Sequence, residues 1–271
     1  MSRKTHTLAQ NCLIHVQTAP TLLQFLLHKH YIDAHTGPRE SIYMAISVLV
    51  DAVRSSRAPA YNSVVLDVDS TITGIEGIDW LAARRGEVTA RAVASLTEDA
   101  MRGLLPLEHV YAHRIAHVRP RREELDLLAK AYVEALAPGA IEAVRRMRMA
   151  GVQVVLVSSA LRHSLLRLAL RLGLGPGDVF AVDVKFDALG AYESFDADSP
   201  LVSASGKRRV VASLPLDRPI LAVGDAATDL AMRDAVDSFV AFTGFVRRDS
   251  IARQADAEIT SFDELVTMVL G

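Results

Sequence analysis

The chain has 271 residues, half of them apolar and 23% charged, with a formal net charge of -2. That apolar share supports a sizeable core and excludes wholesale disorder, and the near-neutral balance gives no net positive field for nucleic acid or an anionic membrane. The single cysteine, Cys12, excludes a disulfide framework and a cysteine-built zinc site, and no apolar run approaches the roughly 18 residues of a membrane-spanning helix.

Residues 1–60 read differently from the rest. Six basic side chains (Arg3, Lys4, Lys29, Arg39, Arg54, Arg57) stand against three acidic ones (Asp33, Glu40, Asp51), so this stretch carries +3 and the remaining 211 residues -5. It is expected to form an N-terminal extension, helical or partly disordered, with helices at Thr21–His30 and Glu40–Val53 and a linker at Ser55–Pro59. The expected location is cytoplasmic. The lack of acidic residues before Asp33 leaves organellar targeting as the alternative, and Met44 offers a second possible start.

From residue 61 onward, strand and helix patterns alternate. Val64–Asp67 is a short β-branched apolar run that ends abruptly in polar side chains. Gln153–Ser159 and Ile220–Asp225 repeat that form, and Ser238–Phe242 is a fourth strand. Uninterrupted apolar strands belong to a sheet covered on both faces, which is usually parallel. Between them, Gly139–Ala150 and Leu161–Leu172 read as helices. The spacing predicts a doubly wound α/β domain over 61–271 with a mainly parallel sheet. Two inserts interrupt it. Residues 75–137 hold only helical runs, such as Arg121–Leu136, and residues 181–205 read as an antiparallel hairpin turning near Asp187–Gly190.

Each of the first three strands ends in acidic or hydroxyl side chains: Asp67 and Asp69, Ser158 and Ser159, then Asp225 followed by Asp229. In open α/β sheets the ligand crevice lies beyond the carboxyl ends of the strands, so these segments should converge on one site. Two carboxylates ~4 Å apart repel by about 4 kcal/mol at an effective dielectric near 20. A hard divalent cation relieves that repulsion, and an all-oxygen donor set favours Mg²⁺ over zinc. A lone strand-end Asp is more often a cap of the helix that follows; paired acids at two such ends argue against that reading.

These residues carry a family resemblance. Asp67-Val68-Asp69-Ser70-Thr71 resembles the first motif of the haloacid-dehalogenase-type phosphatases, D-x-D-x-T. Ser158 matches the second motif, Lys207 the third, and Gly224-Asp225-Ala226-Ala227-Thr228-Asp229 the fourth. Within that superfamily the chain is most similar to the phosphoserine phosphatases. The stretch Asp67–Gly86, then Leu96–Gly103 and Arg114, are similar to their entry segment and helical cap, and the likeness runs in order from about Val64 to Leu265.

The resemblance implies that Asp67 is the nucleophile and Asp69 the general acid and base. It implies a Mg²⁺ ion held by Asp67, the backbone carbonyl of Asp69 and Asp225, with Asp229 orienting that shell. Ser158 and Lys207 would hold the phosphoryl oxygens, Glu76 the substrate ammonium and Arg114 its carboxylate. Met101, Arg102, Thr228 and Arg248 match further substrate-side positions. The expected reaction is hydrolysis of a small phosphorylated metabolite, O-phospho-L-serine first, yielding L-serine for biosynthesis; a homodimer is left open, and neither nucleic acid nor membrane is a partner.

Two departures touch the substrate. Ser159-Ala160 stands where the family usually has Gly-Gly, so Cβ atoms narrow the phosphate cradle while Ser159 brings an N–H and a hydroxyl. Leu107 stands where a Phe is common. They motivate an alternative: the same chemistry on another small phosphomonoester, or transfer to an alcohol acceptor. A non-enzymatic phosphate-binding relative is a third reading, opposed by the retention of Asp67, Asp69, Lys207, Asp225 and Asp229.

Other patterns lead nowhere catalytic. Ser205-Gly206-Lys207 is no phosphate loop, because position 201 is Leu and Arg208 replaces the Ser or Thr. His109, His113 and His117 recur at helical spacing without a carboxylate to complete a metal site, and read as a polar stripe. The arginine pairs and triplets read as solvated helix faces, Arg248 excepted, and Trp80 as cap core.

Overall fold

The structure is a computed structural model that describes residues 58–271, apart from Gly103 and the side chain of His109. The expected N-terminal helices and linker lie outside these residues, save for Ala58 and Pro59. The strands are β1 (Ser63–Leu66), β2 (Gln153–Leu161), β3 (Val179–Val182), β4 (Val184–Phe186), β5 (Tyr192–Phe195), β6 (Ile220–Gly224), β7 (Ser238–Phe242) and β8 (Ala257–Ile259). Six of them form one sheet in the order β3-β2-β1-β6-β7-β8, parallel throughout. β1 and β6 are buried at every residue, the state that a strand covered on both faces requires.

The helices that flank and cap the sheet are α1 (Gly77–Ala82), α2 (Glu87–Met101), α3 (Leu107–Val118), α4 (Arg122–Glu134), α5 (Ala140–Met149), α6 (Arg162–Arg171), α7 (Gly206–Ser213), α8 (Ala227–Leu230), α9 (Asp249–Ala252) and α10 (Phe262–Leu270). α5 turns Ala140, Ala143, Val144 and Met147 inward at helical spacing and packs on α10. Its solvent face carries Arg145, Arg146 and Arg148, as expected of that triplet. α4, the last helix of the first insert, lies along α6 and so ties the insert to the core. Among the described residues no helix is long and apolar enough to cross a membrane.

The second insert is the antiparallel pair β4–β5, narrower than the 181–205 expected. Its first residues belong instead to β3, an edge strand that the sequence pattern hides because it runs into the hairpin after one residue. The hairpin carries the other end of the cap: the Arg119 and Arg122 guanidinium groups lie over the rings of Tyr192 and Phe186, and Tyr111 packs against Phe195. Trp80 is half-buried at the cap surface under the guanidinium of Arg84, rather than enclosed in the cap core.

Candidate active site

The sheet register builds the site. Leu66 of β1 is level with Val223 of β6, and Asp67 N–H donates to the Val223 carbonyl at 3.0 Å, so Asp67 and Asp225 leave adjacent strands side by side. β1 and β6 flank the point where the strand order reverses, the place where α/β sheets open a crevice. Ser158 arrives differently from the expected strand end. β2 continues to Leu161, and its register against β3 slips between Val157 and Leu161, a bulge that turns Ser158 and its neighbours out of the regular ladder.

Oxygens of Asp67, Asp225 and Asp229 lie within 4.8 Å of one another, and all three residues are buried. Lys207, equally buried on α7, donates to Asp67 Oδ1 and, at 2.6 Å, to Asp229 Oδ1. The other oxygen of Asp229 accepts the backbone N–H groups of Asp225 (3.1 Å) and Ala226 (2.9 Å). That approach needs a glycine before Asp225: a Cβ on Gly224 would sit 2.2 Å from Asp229 Cγ. Asp225 in turn accepts from Thr71 Oγ1 at 3.1 Å and from Arg248. Ser70, at φ 56°, makes the turn that brings Thr71 back to Asp225.

The charges do not cancel. Three buried carboxylates face two buried cations, Lys207 and Arg248, which leaves one surplus negative charge in a low-dielectric pocket. Burial first, then the neighbouring Asp229, pushes the Asp67 carboxyl up to about 7 despite the Lys207 ammonium. Asp225 is raised for the same two reasons. Lys207 moves the other way from a lone buried amine, upward, because Asp229 and Asp67 together outweigh its burial. The ammonium is therefore the fixed charge and the carboxyl cluster the adjustable one: it can keep a proton or accept a cation. The residues fit a hard divalent ion, being all oxygen donors with one negative charge in excess.

A carboxyl whose folded pKa lies above its unfolded value contributes stability that is full below about pH 4 and is lost as pH rises through about 7. Metal-free protein should therefore melt at a higher temperature near pH ~5.5 than near pH ~8, and Mg²⁺ should raise the melting temperature mainly at the higher pH, where it replaces the lost protons. Calorimetry at the two pH values checks this; identical melting curves with no Mg²⁺ effect would contradict the cation site.

A second group lines the cap side. Asp69 is not one of the three clustered carboxylates; its two oxygens accept from Tyr132 Oη (2.7 Å) and Gly77 N–H (3.0 Å). Burial raises its carboxyl to about 6 against the pull of those donors. Glu76 accepts from Ser70 Oγ at 2.7 Å, and burial followed by the Asp69 charge lifts it to about 7. Arg114, on α3, is buried with its guanidinium 3.6 Å from Asp79. Among the described residues, three buried side-chain polar atoms have no hydrogen-bond partner: Glu76 Oε2, Arg114 Nε and Arg248 Nε. All three belong to residues of this site, so its acceptor and donors are unmatched by protein alone.

The remaining expected residues divide. Ser158 and Thr228 are buried, and Met101 is half-buried at the end of α2. The Ser159 hydroxyl donates to the Leu201 carbonyl at 2.7 Å, and the Ser159 carbonyl accepts from Tyr111 Oη at 2.9 Å. Arg102 is exposed and paired with Glu98 at 2.6 Å. Glu98 also reaches Arg248 at 3.4 Å, linking the cap to the core across the mouth of the site. Leu107 is fully buried. His113 and His117 are exposed on α3, consistent with a polar stripe. Asp79, Tyr111 and Tyr132 had no motif to announce them; for the tyrosines the only signal is that a buried phenol needs a partner. A separate groove of about 370 Å³, lined among others by Gln153, Asp178 and Leu216, opens at the opposite, amino-terminal edge of the sheet and carries no buried charge.

Residues 64–233 match the family described as haloacid dehalogenase-like hydrolase. The phosphoserine phosphatase of Bos taurus is 35% identical over 208 residues, covering 76% of this chain and 92% of that protein. The chloroplastic phosphoserine phosphatase of Arabidopsis thaliana is 32% identical over 209 residues, covering 75% of this chain and 70% of that protein. The crystal structure of a phosphoserine phosphohydrolase-like protein from Francisella tularensis superposes with a TM-score of 0.69 at 19% identity, covering 76% of this chain and 99% of that one.

Proposed function

The chain belongs to the haloacid dehalogenase-like hydrolase family as a phosphatase, and we propose that it hydrolyses O-phospho-L-serine through a phosphorylated Asp67. The observation that carries the substrate is the unmatched pair in the cap, Glu76 Oε2 and Arg114 Nε. An ammonium complements the first and a carboxylate the second, since guanidinium N–H groups bind carboxylate strongly. A zwitterionic amino-acid end therefore supplies both missing partners. The names of the bovine and Arabidopsis relatives agree with this reading.

In the proposed reaction an Asp67 carboxylate oxygen attacks phosphorus as the bond to the serine oxygen breaks, and Asp69 delivers its proton to that leaving oxygen. Asp69 then accepts a proton from water, whose oxygen attacks the phosphorus of phospho-Asp67, releasing phosphate and restoring the carboxylate. The raised pKa of Asp69 suits a group that must start protonated. Lys207, held protonated between Asp67 and Asp229, stabilises the charge that develops on the phosphoryl oxygens. Asp67, the Asp69 carbonyl and Asp225 would hold Mg²⁺, which when bound would neutralise charge between nucleophile and phosphoryl group. Asp229 keeps Asp225 and Lys207 in place through both of its oxygens.

A panel of small phosphate esters tests the assignment. O-phospho-L-serine should lead by a wide margin, with activity abolished by EDTA. Arg114→Ala should raise KM for phosphoserine by about 10²-fold, the scale of losing a charged hydrogen-bonded partner, and should change phosphoethanolamine, which lacks the carboxylate, far less. A phosphorylated metabolite without an amino-acid end ranking first, or faster turnover with an alcohol acceptor, would replace phosphoserine with the alternative that Ser159-Ala160 motivates. The proposed location is the cytoplasm; the plastid location named for the Arabidopsis relative keeps an organellar one as its alternative.

A further inference from the structure

Tyr132 closes a helix face of ordinary packing residues, Leu125, Leu128 and Ala129, all buried on α4. Its ring is fully buried with them. Its hydroxyl has a different role, because it reaches out of the core to Asp69 Oδ1 at 2.7 Å while Gly77 N–H holds Asp69 Oδ2 at 3.0 Å. Donors from two separate segments thus grip the two oxygens of one carboxyl group, and its side-chain torsion is fixed. Each carboxyl oxygen has two lone pairs, so either can accept one of these bonds and still carry a proton on the other.

Gly77 supplies an independent sign that this grip is built in. A Cβ at position 77 would lie 2.0 Å from Tyr132 Oη and 2.9 Å from its Cζ. Gly77 is the first residue of α1, where only a bare backbone leaves room for the phenol.

We infer that Tyr132, seated against Gly77, is a positioning residue for the acid–base carboxylate: it holds Asp69 at the angle from which the leaving oxygen receives its proton. The inference rests on the reading of Asp69 under the proposed function. It requires that Tyr132 matter for leaving groups that need a proton and not for those that do not.

The test is kcat/KM, which covers the steps through loss of the leaving group, measured for phosphoserine and for p-nitrophenyl phosphate. A serine alkoxide needs protonation, whereas p-nitrophenolate departs unaided. Tyr132→Phe should lose about tenfold on phosphoserine and less than about twofold on the aryl ester, with Asp69→Asn showing a larger version of the same split. Retained aryl phosphatase activity also reports that the variant is folded. Equal losses on both esters, or no loss on either, while Asp69→Asn still discriminates, overturn the positioning role of Tyr132. If Asp69→Asn itself does not discriminate, the assignment of Asp69 is wrong and the inference falls with it.

Discussion

Asp67→Asn is expected to remove phosphatase turnover, by on the order of 10⁴-fold, without unfolding the protein. The amide has the shape of the carboxylate but is a far poorer nucleophile, so no covalent phospho-residue forms. The structural consequence should be slight. The native site holds one more buried negative charge than positive, and the amide of the variant would still offer Lys207 an acceptor oxygen, so the substitution relieves repulsion where the wild type has an excess. Melting temperature in the absence of metal should therefore be unchanged or higher. Initial rates on phosphoserine and a thermal melt of the same preparation check the two halves. A residual rate within tenfold of wild type would remove Asp67 from the nucleophile's position; a lost rate with a collapsed melt would make its role structural.

The sequence was most legible where chemistry and burial coincide. β1, β2, β6 and β7 are apolar because they lie inside the sheet, and the polar residues at their ends stand out against that background. β3 is apolar but runs into the hairpin after one residue, and β8 is a three-residue edge strand that carries Glu258, so neither stands out in the pattern. Within the site, Asp67, Asp225 and Asp229 are legible from their places at strand ends and Lys207 only through the family resemblance, and the structure brings the four together. Tyr132, Asp79 and Glu98 are not, because each acts across segments that only the folded cap aligns. Helical periodicity puts Tyr132 on a buried face but cannot say that its hydroxyl leaves that face for Asp69. Ser159 shows the converse limit: its sequence position offers a hydroxyl without saying which group takes it, and in the fold the Leu201 carbonyl accepts it.

Lys207→Met should produce the second large effect, on stability and rate together. Lys207 is the shared counter-ion of Asp67 and Asp229; a methionine of similar length fills the space but leaves three buried carboxylates facing Arg248 alone. Removing one partner from a buried charge pair costs about 3–5 kcal/mol, which for a domain of this size lowers the melting temperature by roughly 10 °C. The loss should depend on pH. Carboxyls already raised by burial take up protons more readily once the ammonium is gone, so the variant should approach wild-type stability near pH ~5 and fall furthest behind near pH ~8. Mg²⁺ should recover part of the difference at the higher pH, since a cation supplies the missing positive charge. Activity should not recover with it. In the proposed reaction Lys207 holds the phosphoryl oxygens from its place between Asp67 and Asp229, and loss of one such preorganised donor lowers kcat by about 10²–10³-fold. Melts at two pH values with and without Mg²⁺, alongside kcat at saturating metal, separate these contributions. A variant as stable as wild type at high pH without metal would show that the carboxylate cluster holds its surplus charge by some means other than Lys207.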